Sequence, residues 1–148
     1  MLNTSIMPDP YHLERFKAAQ STSYASALME IRQGRKQTHW MWYIFPQIQG
    51  LGFSDLSKFY AIKNIHEAEA YLKDPLLGSR LVEISNALLS LPNHNARLIM
   101  GNPDDVKLKS CMTLFAALPG TDPVFQDVLE KFFQGVKDDK TLQLLNSI

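Results

Sequence analysis

The segment "DPLLGSRLVEISNALLSLP", residues 74–92, carries a complete set of helix signals. Asp74 can accept hydrogen bonds from free N–H groups at a helix start, and Pro75 can occupy the first helical position without losing a needed donor. Apolar residues then recur at helical spacing: Leu77, Leu81, Ile84 and Leu88. Because Pro92 closes the run, the segment predicts an amphipathic helix of about four turns.

The same pairing of an Asp or Asn with proline occurs at three other places: Asp9-Pro10, Asn102-Pro103 and Asp122-Pro123. Further helix starts are predicted at Ser23 for Tyr24–Gln33, at Asn64 for Ile65–Lys73, and at Asp138 or Asp139. No alternating strand pattern of useful length competes with them. We therefore predict an all-α protein, a compact multihelical single domain of about eight short helices over residues 1–148, with residues 1–8 as a flexible N-terminal tail.

The composition limits the classes of partner. Fifteen basic residues balance fifteen acidic ones, so bulk charge does not favour non-specific binding to nucleic acid or to an anionic membrane. The single cysteine, Cys111, excludes an internal disulfide, and four scattered histidines give no metal-ligand spacing. Lacking a secretory signal pattern and long apolar runs, the chain is expected to be cytoplasmic, with no metal and no cofactor.

The window "GRKQTHWMWYIFPQIQGLG", residues 34–52, holds both tryptophans and no acid. Guanidinium and ammonium donors beside flat apolar rings suit a nucleotide, and glycines allow a ligand to approach the backbone. The candidate binding residues in and beside this window are Gln20, Arg32, Arg35, Lys36, His39, Trp40, Trp42, Gln47 and Lys107. The alternative is that either tryptophan is simply a core residue and that the arginines are solvated cations at a helix C-terminus.

Two acidic positions are candidates for catalysis. Glu14 lies early in the predicted first helix, and Asp105 follows Asp104 in the first turn after Pro103. Both are also explained without function, because carboxylates are favoured near the N-terminus of a helix.

Four segments resemble one bacterial family: "LERFKAAQ", "GRKQTHWMWYIFPQIQGLG", "YLKDPLLGSRL" and "DDVKLKSCMTLFAAL". The chain is identified as a member of the domain-of-unknown-function 1810 family, sometimes mislabelled calpastatin. The resemblance runs from about Tyr11 to Leu145 and implies an all-α fold without an assigned activity.

A more distant similarity relates "ERFKAAQ" and "DDVKLKSCM" to the YbiA-like superfamily, which is associated with NAD and ADP-ribose. That resemblance implies that Glu14 is the site glutamate and that Asp104 or Asp105 is the site aspartate. The sequence departs from the superfamily at Pro103, where a tryptophan is expected before the aspartate. Base stacking would then require Trp40 or Trp42.

The leading functional hypothesis is an N-glycosidic-bond hydrolase, or a binder, acting on ADP-ribose or a related nucleotide. In the hydrolase, Glu14 would stabilise the oxocarbenium charge that develops on the sugar and Asp105 would activate water. The cationic residues would hold the diphosphate, and a tryptophan would stack on the base. The alternatives are a non-catalytic helical module that binds a nucleotide or a protein, a purely structural domain, and a nucleic-acid binder.

Overall fold

The computed structural model of the protein describes residues 8–147. Within that range the chain forms helices and no strand, with one isolated parallel bridge between Ile48 and Ile62. The helices are α1 (Glu14–Arg32), α2 (Met41–Ile44), α3 (Asp55–Phe59), α4 (Ile65–Lys73), α5 (Pro75–Leu89), α6 (Ala96–Met100), α7 (Asp104–Ala116), α8 (Val124–Phe133) and α9 (Asp139–Asn146). The all-α prediction is confirmed, and most of the predicted flexible tail lies outside the described residues.

Local capping explains several of the helix starts. Asp74 accepts hydrogen bonds from the backbone N–H groups of Leu76 and Leu77 and opens α5, as predicted. Asn64 opens α4, and Asp138 opens α9 by accepting from the Thr141 N–H group. These caps need only neighbouring residues, which is why sequence alone locates them.

The predicted break at Ser21–Ser23 is wrong, because α1 runs unbroken through it. The hydroxyls of Ser21 and Thr22 donate to carbonyl groups three residues earlier, so they are satisfied on the helix surface. Gln20 and Tyr24 are buried on either side of these residues and keep this part of α1 against the core. Burial on one face therefore overrides the weak helix preference of the serines.

The core is formed by large buried side chains from α1, α4, α5, α7 and α8, which include Phe16, Tyr71, Leu77, Phe115 and Phe125. The four long helices α1, α5, α7 and α8 form the main packed layers, and α4 lies against α5 and α7. No helix among residues 8–147 is long and apolar enough to cross a bilayer.

Candidate functional site

The first half of the aromatic window folds around a buried carboxylate that sequence analysis did not single out. Glu30 is 5% exposed and accepts hydrogen bonds from the backbone N–H groups of Gln37 and Thr38, from the Thr38 hydroxyl, and from Trp40 Nε1 at 2.9 Å. Burial raises the pKa of Glu30, but these hydrogen bonds outweigh it and lower the pKa to about 2. Trp40 is therefore a core residue, 1% exposed, with no face open to a ligand.

Lys36 and Lys107 share one carboxylate. The Lys36 ammonium lies 2.9 Å from Asp104 Oδ2 and 4.7 Å from the centre of the Trp40 ring, and its side chain is 6% exposed. Lys107 Nζ lies 3.9 Å from Asp104 Oδ1 and 5.5 Å from the centre of the half-buried Trp42 ring. The charge of Lys36 is thus used within the fold, whereas Lys107 and Trp42 stay partly accessible.

Three further predicted binding residues, Arg32, Arg35 and His39, are exposed. Arg35 and His39 make no side-chain hydrogen bond or ion pair with any residue in the described range. Arg32 lines a cavity of about 410 Å³ between α1 and α5 together with Glu83 and Asn86. The three residues do not form a common pocket with Trp42.

Glu14 and the predicted cations lie at opposite ends of one helix. Glu14 and Arg32 are the first and last residues of α1, so about 27 Å separates their backbones. Asp105 lies near the Arg32 end of α1, far from Glu14. Its neighbour Asp104 pairs with Lys36, and the loop that carries Lys36 is hydrogen-bonded to Glu30 near that end of the helix. The two carboxylates of a glycoside hydrolase lie within about 10 Å of each other, so the structure does not form the predicted pair of Glu14 and Asp105.

Asp105 and Gln20 have structural partners. Asp105 Oδ1 accepts from Asn102 Nδ2 at 3.0 Å and from the Val106 N–H group at 2.9 Å. Gln20 is 2% exposed, and its Nε2 donates to the Tyr43 carbonyl and to the Tyr71 hydroxyl. Gln20 thereby ties α1 to α2 and α4, which leaves it no open contact for a substrate.

The end of the window and the segment that follows it, residues 49–63, line a cavity of about 390 Å³ that we call the loop hollow. Its lining contains two lysines, two phenylalanines, two glycines and no carboxylate from the described residues. These residues are Gln49, Gly50, Gly52, Phe53, Ser57, Lys58, Phe59, Ala61 and Lys63. The loop hollow is therefore a positively charged pocket with aromatic walls.

Two predicted binding residues, Trp42 and Gln47, line a small cavity of about 20 Å³ that adjoins the loop hollow. The two cavities share Gly52, Ser57 and Ala61. Trp42 therefore connects the loop hollow to Lys107 and the Asp104 carboxylate. Trp42 and Gln47 are thus the two of the nine predicted binding residues that lie beside the loop hollow.

Buried polar contacts hold the walls of the loop hollow in place. The Gln49 N–H group donates to the Ile62 carbonyl, and the Ile62 N–H group donates to the Gln47 carbonyl, each at 2.8 Å. Arg15 is 6% exposed and donates to the carbonyls of Phe59 and Ala61 at 2.8 and 3.0 Å. The segment that carries Lys58 and Lys63 is thus fixed from both sides.

A buried ion pair completes this support. Arg15 Nη2 lies 2.7 Å from Glu67 Oε2, and the other Glu67 oxygen accepts from the Lys63 N–H group at 3.0 Å. Arg15 also donates to the carbonyls of Tyr11 and His12, so its guanidinium nitrogens all have acceptors. Glu67 is fully buried, which makes Arg15 its essential counter-charge.

Glycines shape the mouth of the loop hollow. Gly50 has φ +107°, a conformation that L side chains rarely adopt, and an added Cβ would lie 3.1 Å from a methyl carbon of Leu144. At Gly52 an added Cβ would lie 2.5 Å from Ser57 Cβ. Glycine is therefore required at the two positions for different reasons, backbone conformation at Gly50 and the close approach of Ser57 at Gly52.

Sequence reasoning missed Arg15, Lys58 and Lys63. The available signal was the alternation of aromatic and basic residues, which continues past Gly52 through Phe53, Lys58, Phe59 and Lys63. Among residues 8–147 no carboxylate lies within ion-pair distance of Lys58 or Lys63, so their charges are free for a ligand. The same range contains no group of three or more side chains suited to a metal ion.

Comparisons with known proteins identify the family. The family model described as "Protein of unknown function (DUF1810)" matches residues 10–145, and the chain belongs to this family. The crystal structure of the conserved hypothetical protein Rv1873 from Mycobacterium tuberculosis is similar, with 43% identity, a TM-score of 0.91, and coverage of 93% of this chain and 99% of that chain. No curated protein matches. These matches do not support the YbiA-like resemblance.

Proposed function

We propose that the protein binds a small anionic ligand of the nucleotide class, such as ADP-ribose, in the loop hollow. The observation that carries the proposal is the lining of this cavity, which combines two unpaired lysines with exposed aromatic rings and includes no carboxylate from residues 8–147.

The charges favour phosphate. Lys58 and Lys63 face the same cavity, and lysine binds phosphate as a compact point charge that needs no fixed fork geometry. A carboxylate in the lining would repel such a ligand, and Asp55 of α3 is not among the lining residues. Because the net charge of the chain is zero, the attraction is local and suits one small ligand better than a long polyanion.

The aromatic rings favour a base. Phe53 is 82% exposed and Phe59 is 51% exposed, although burial of such rings ordinarily stabilises a fold. Stacking of a base on an aromatic side chain contributes about 1–3 kcal/mol and covers apolar surface that is otherwise in water. The volume of the loop hollow, about 390 Å³, lies at the small end of the range for ligand pockets. The cavity can therefore hold one part of a nucleotide, and the rest of the ligand would lie outside it.

The supporting contacts favour binding without large rearrangement. The Ile48–Ile62 bridge and the Arg15 hydrogen bonds fix the backbone on both sides of the loop hollow. A preformed site loses less conformational entropy when the ligand binds, so more of the interaction energy appears as affinity.

A ligand series tests this proposal through thermal unfolding. Adenosine, AMP, ADP and ADP-ribose present the same base with increasing phosphate content. At about 100 times the dissociation constant a ligand stabilises the fold by about 2.7 kcal/mol, equivalent to about 5–10 °C for a domain of this size. We expect larger shifts for the phosphorylated members than for adenosine. Absence of a shift with every member would overturn the proposal.

N-glycosidic hydrolysis is a second candidate, supported by the position of Glu14. The neighbouring Arg15 binds the Phe59 and Ala61 carbonyls, so the loop hollow lies at the same end of α1 as the exposed Glu14 side chain. In that reaction water adds to the anomeric carbon, the C–N bond breaks and the base leaves with a proton. Glu14 would stabilise the oxocarbenium charge, without help from the distant Asp105.

The hydrolase proposal is tested by incubating the protein with an ADP-ribosylated nucleobase and measuring free ADP-ribose. We expect release by the wild type and its loss in Glu14→Ala, with Asp127→Ala on the exposed face of α8 as a matched control. Equal release of ADP-ribose by wild type and Glu14→Ala, or no release by wild type, would overturn the hydrolase proposal. The binding proposal is tested separately by the thermal shifts.

A further inference from the structure

We infer a second binding site, for a small organic cation with an apolar body, in a cavity beside α4 and α5. This cavity of about 890 Å³ lies between α4, α5 and the turn of residues 118–122, and we call it the α4–α5 groove. It is independent of the loop hollow, since the two linings share no residue.

The floor of the α4–α5 groove is apolar and rigid. Its apolar lining residues are Leu72, Val82, Leu118 and Pro119. Gly78 lets α5 pass directly against the end of α4, because an added Cβ there would lie 2.0 Å from the Leu72 carbonyl oxygen. The backbones of the two helices thus hold the apolar surface at a fixed spacing.

The rim is acidic. Three carboxylates line the groove, at Glu69, Glu83 and Asp122, against one ammonium group at Lys73. Glu83 Oε1 accepts from the Tyr24 hydroxyl at 2.5 Å, and Asp122 Oδ1 accepts from the Val124 N–H group at 2.8 Å. These bonds hold the two carboxylates in position and use one oxygen of each, so the second oxygens are available to a cation.

The charge of the rim sets the ligand class. An ammonium or guanidinium group can donate to the second carboxylate oxygens of Glu83 and Asp122 and matches the excess negative charge of the lining.

The dimensions favour a compact ligand over a partner helix. The groove extends from Glu69 to Lys73 on α4 and from Gly78 to Glu83 on α5, lengths of about 6 and 7.5 Å at 1.5 Å per residue. A docked helix uses anchors up to seven residues apart, which need about 10.5 Å. The ligand class that fits is therefore an amine or guanidine attached to an aryl or alkyl body.

Three compounds of the same shape test the charge preference: 4-phenylbutylamine, 4-phenylbutanol and 4-phenylbutanoate. We expect the amine to bind in a titration followed by backbone amide chemical shifts, with changes confined to α4, α5 and residues 118–122. The alcohol should bind at least tenfold more weakly, and the carboxylate should not bind. Equal binding of amine and carboxylate, or no binding of the amine, would overturn the inference.

Variants locate the site. Glu69→Gln combined with Asp122→Asn removes two carboxylates and retains the Asp122 cap, because an asparagine oxygen can accept from the same N–H group. We expect the affinity of the double variant for the amine to fall at least tenfold. The control Asp127→Asn removes one carboxylate outside the groove and should leave the affinity for the amine unchanged. Ser79→Trp at an exposed lining position should block the groove and abolish binding. Unchanged affinity in the double variant and in Ser79→Trp would contradict this site.

Discussion

Arg15 and Glu67 form a buried ion pair, with 2.7 Å between Nη2 and Oε2 and side chains 3% and 0% exposed. Arg15 comes from the first turn of α1 and Glu67 from the first turn of α4, so the pair joins two distant parts of the chain. Because both residues also bind backbone groups of residues 59–63, the pair fixes the segment that carries the lysines of the loop hollow.

The buried Arg15–Glu67 pair is expected to stabilise the fold. Arg15→Met leaves the Glu67 carboxylate buried without its counter-charge, so we expect the free energy of unfolding to fall by about 3–5 kcal/mol. Chemical denaturation measures the change. Arg35→Met, at an exposed arginine, serves as the control and should change stability by less than about 0.5 kcal/mol. A wild-type stability for Arg15→Met would show that the ion pair does not support the fold.

Glu30 predicts a pH dependence of stability. Its folded pKa of about 2 lies below the usual 4.5, so its contribution is present above pH 4.5 and is lost as the pH falls toward 2. We expect Glu30→Gln to lose about 3 kcal/mol at pH 7 and the gap from wild type to narrow between pH 4.5 and pH 2. Denaturation at a series of pH values checks this, and a gap that stays constant with pH would contradict it.

The two tryptophans are expected to respond differently to truncation. Trp40 is 1% exposed and donates to Glu30, so Trp40→Ala should cost about 3–5 kcal/mol. Trp42→Ala should cost clearly less, because this ring is only half-buried, and should weaken ligand binding beside the loop hollow. Denaturation and ligand titration of the two variants measure both effects. Equal losses of stability would place Trp42 in the core as well.

Replacement of Gly78 by alanine is expected to destabilise the protein, the opposite of the usual effect in a helix. In an ordinary helix, replacing glycine by alanine stabilises by about 1 kcal/mol. At Gly78 the new Cβ would lie 2.0 Å from the Leu72 carbonyl oxygen, so we expect Gly78→Ala to destabilise by about 1–3 kcal/mol. Ser79→Ala, one residue along the same helix, is the matched control. A stabilised Gly78→Ala variant would mean that α4 and α5 do not touch there.

The helices were predictable where their signals are local. Asp74 and Asn64 accept hydrogen bonds from N–H groups two or three residues away, so their roles can be read from the sequence. The roles of Trp40 and Gln20 could not be read in this way. Trp40 precedes α2 and is fixed by Glu30 of α1, and Gln20 is fixed by groups more than 20 residues distant.

The candidate site was only partly predictable for a similar reason. Trp42, Gln47 and the glycine turn lie in one stretch of sequence, and their clustering was visible. The lysines of the loop hollow join them through the Ile48–Ile62 bridge and the Arg15 contacts, which connect separate segments. Glu14 and Asp105 looked equally suitable by residue type, but the length of α1 places them apart.

The most direct test of the account is the affinity for ADP-ribose of the double variant Lys58→Gln/Lys63→Gln, measured by calorimetry. A hydrogen bond to a charged group contributes about 1.5–3 kcal/mol, so losing both ammonium groups should weaken binding at least about tenfold. Lys140→Gln, at an exposed lysine of α9, is the control and should bind like the wild type. Measurable binding by wild type that is unchanged in the double variant, or no binding by wild type, would contradict the loop hollow as a nucleotide site.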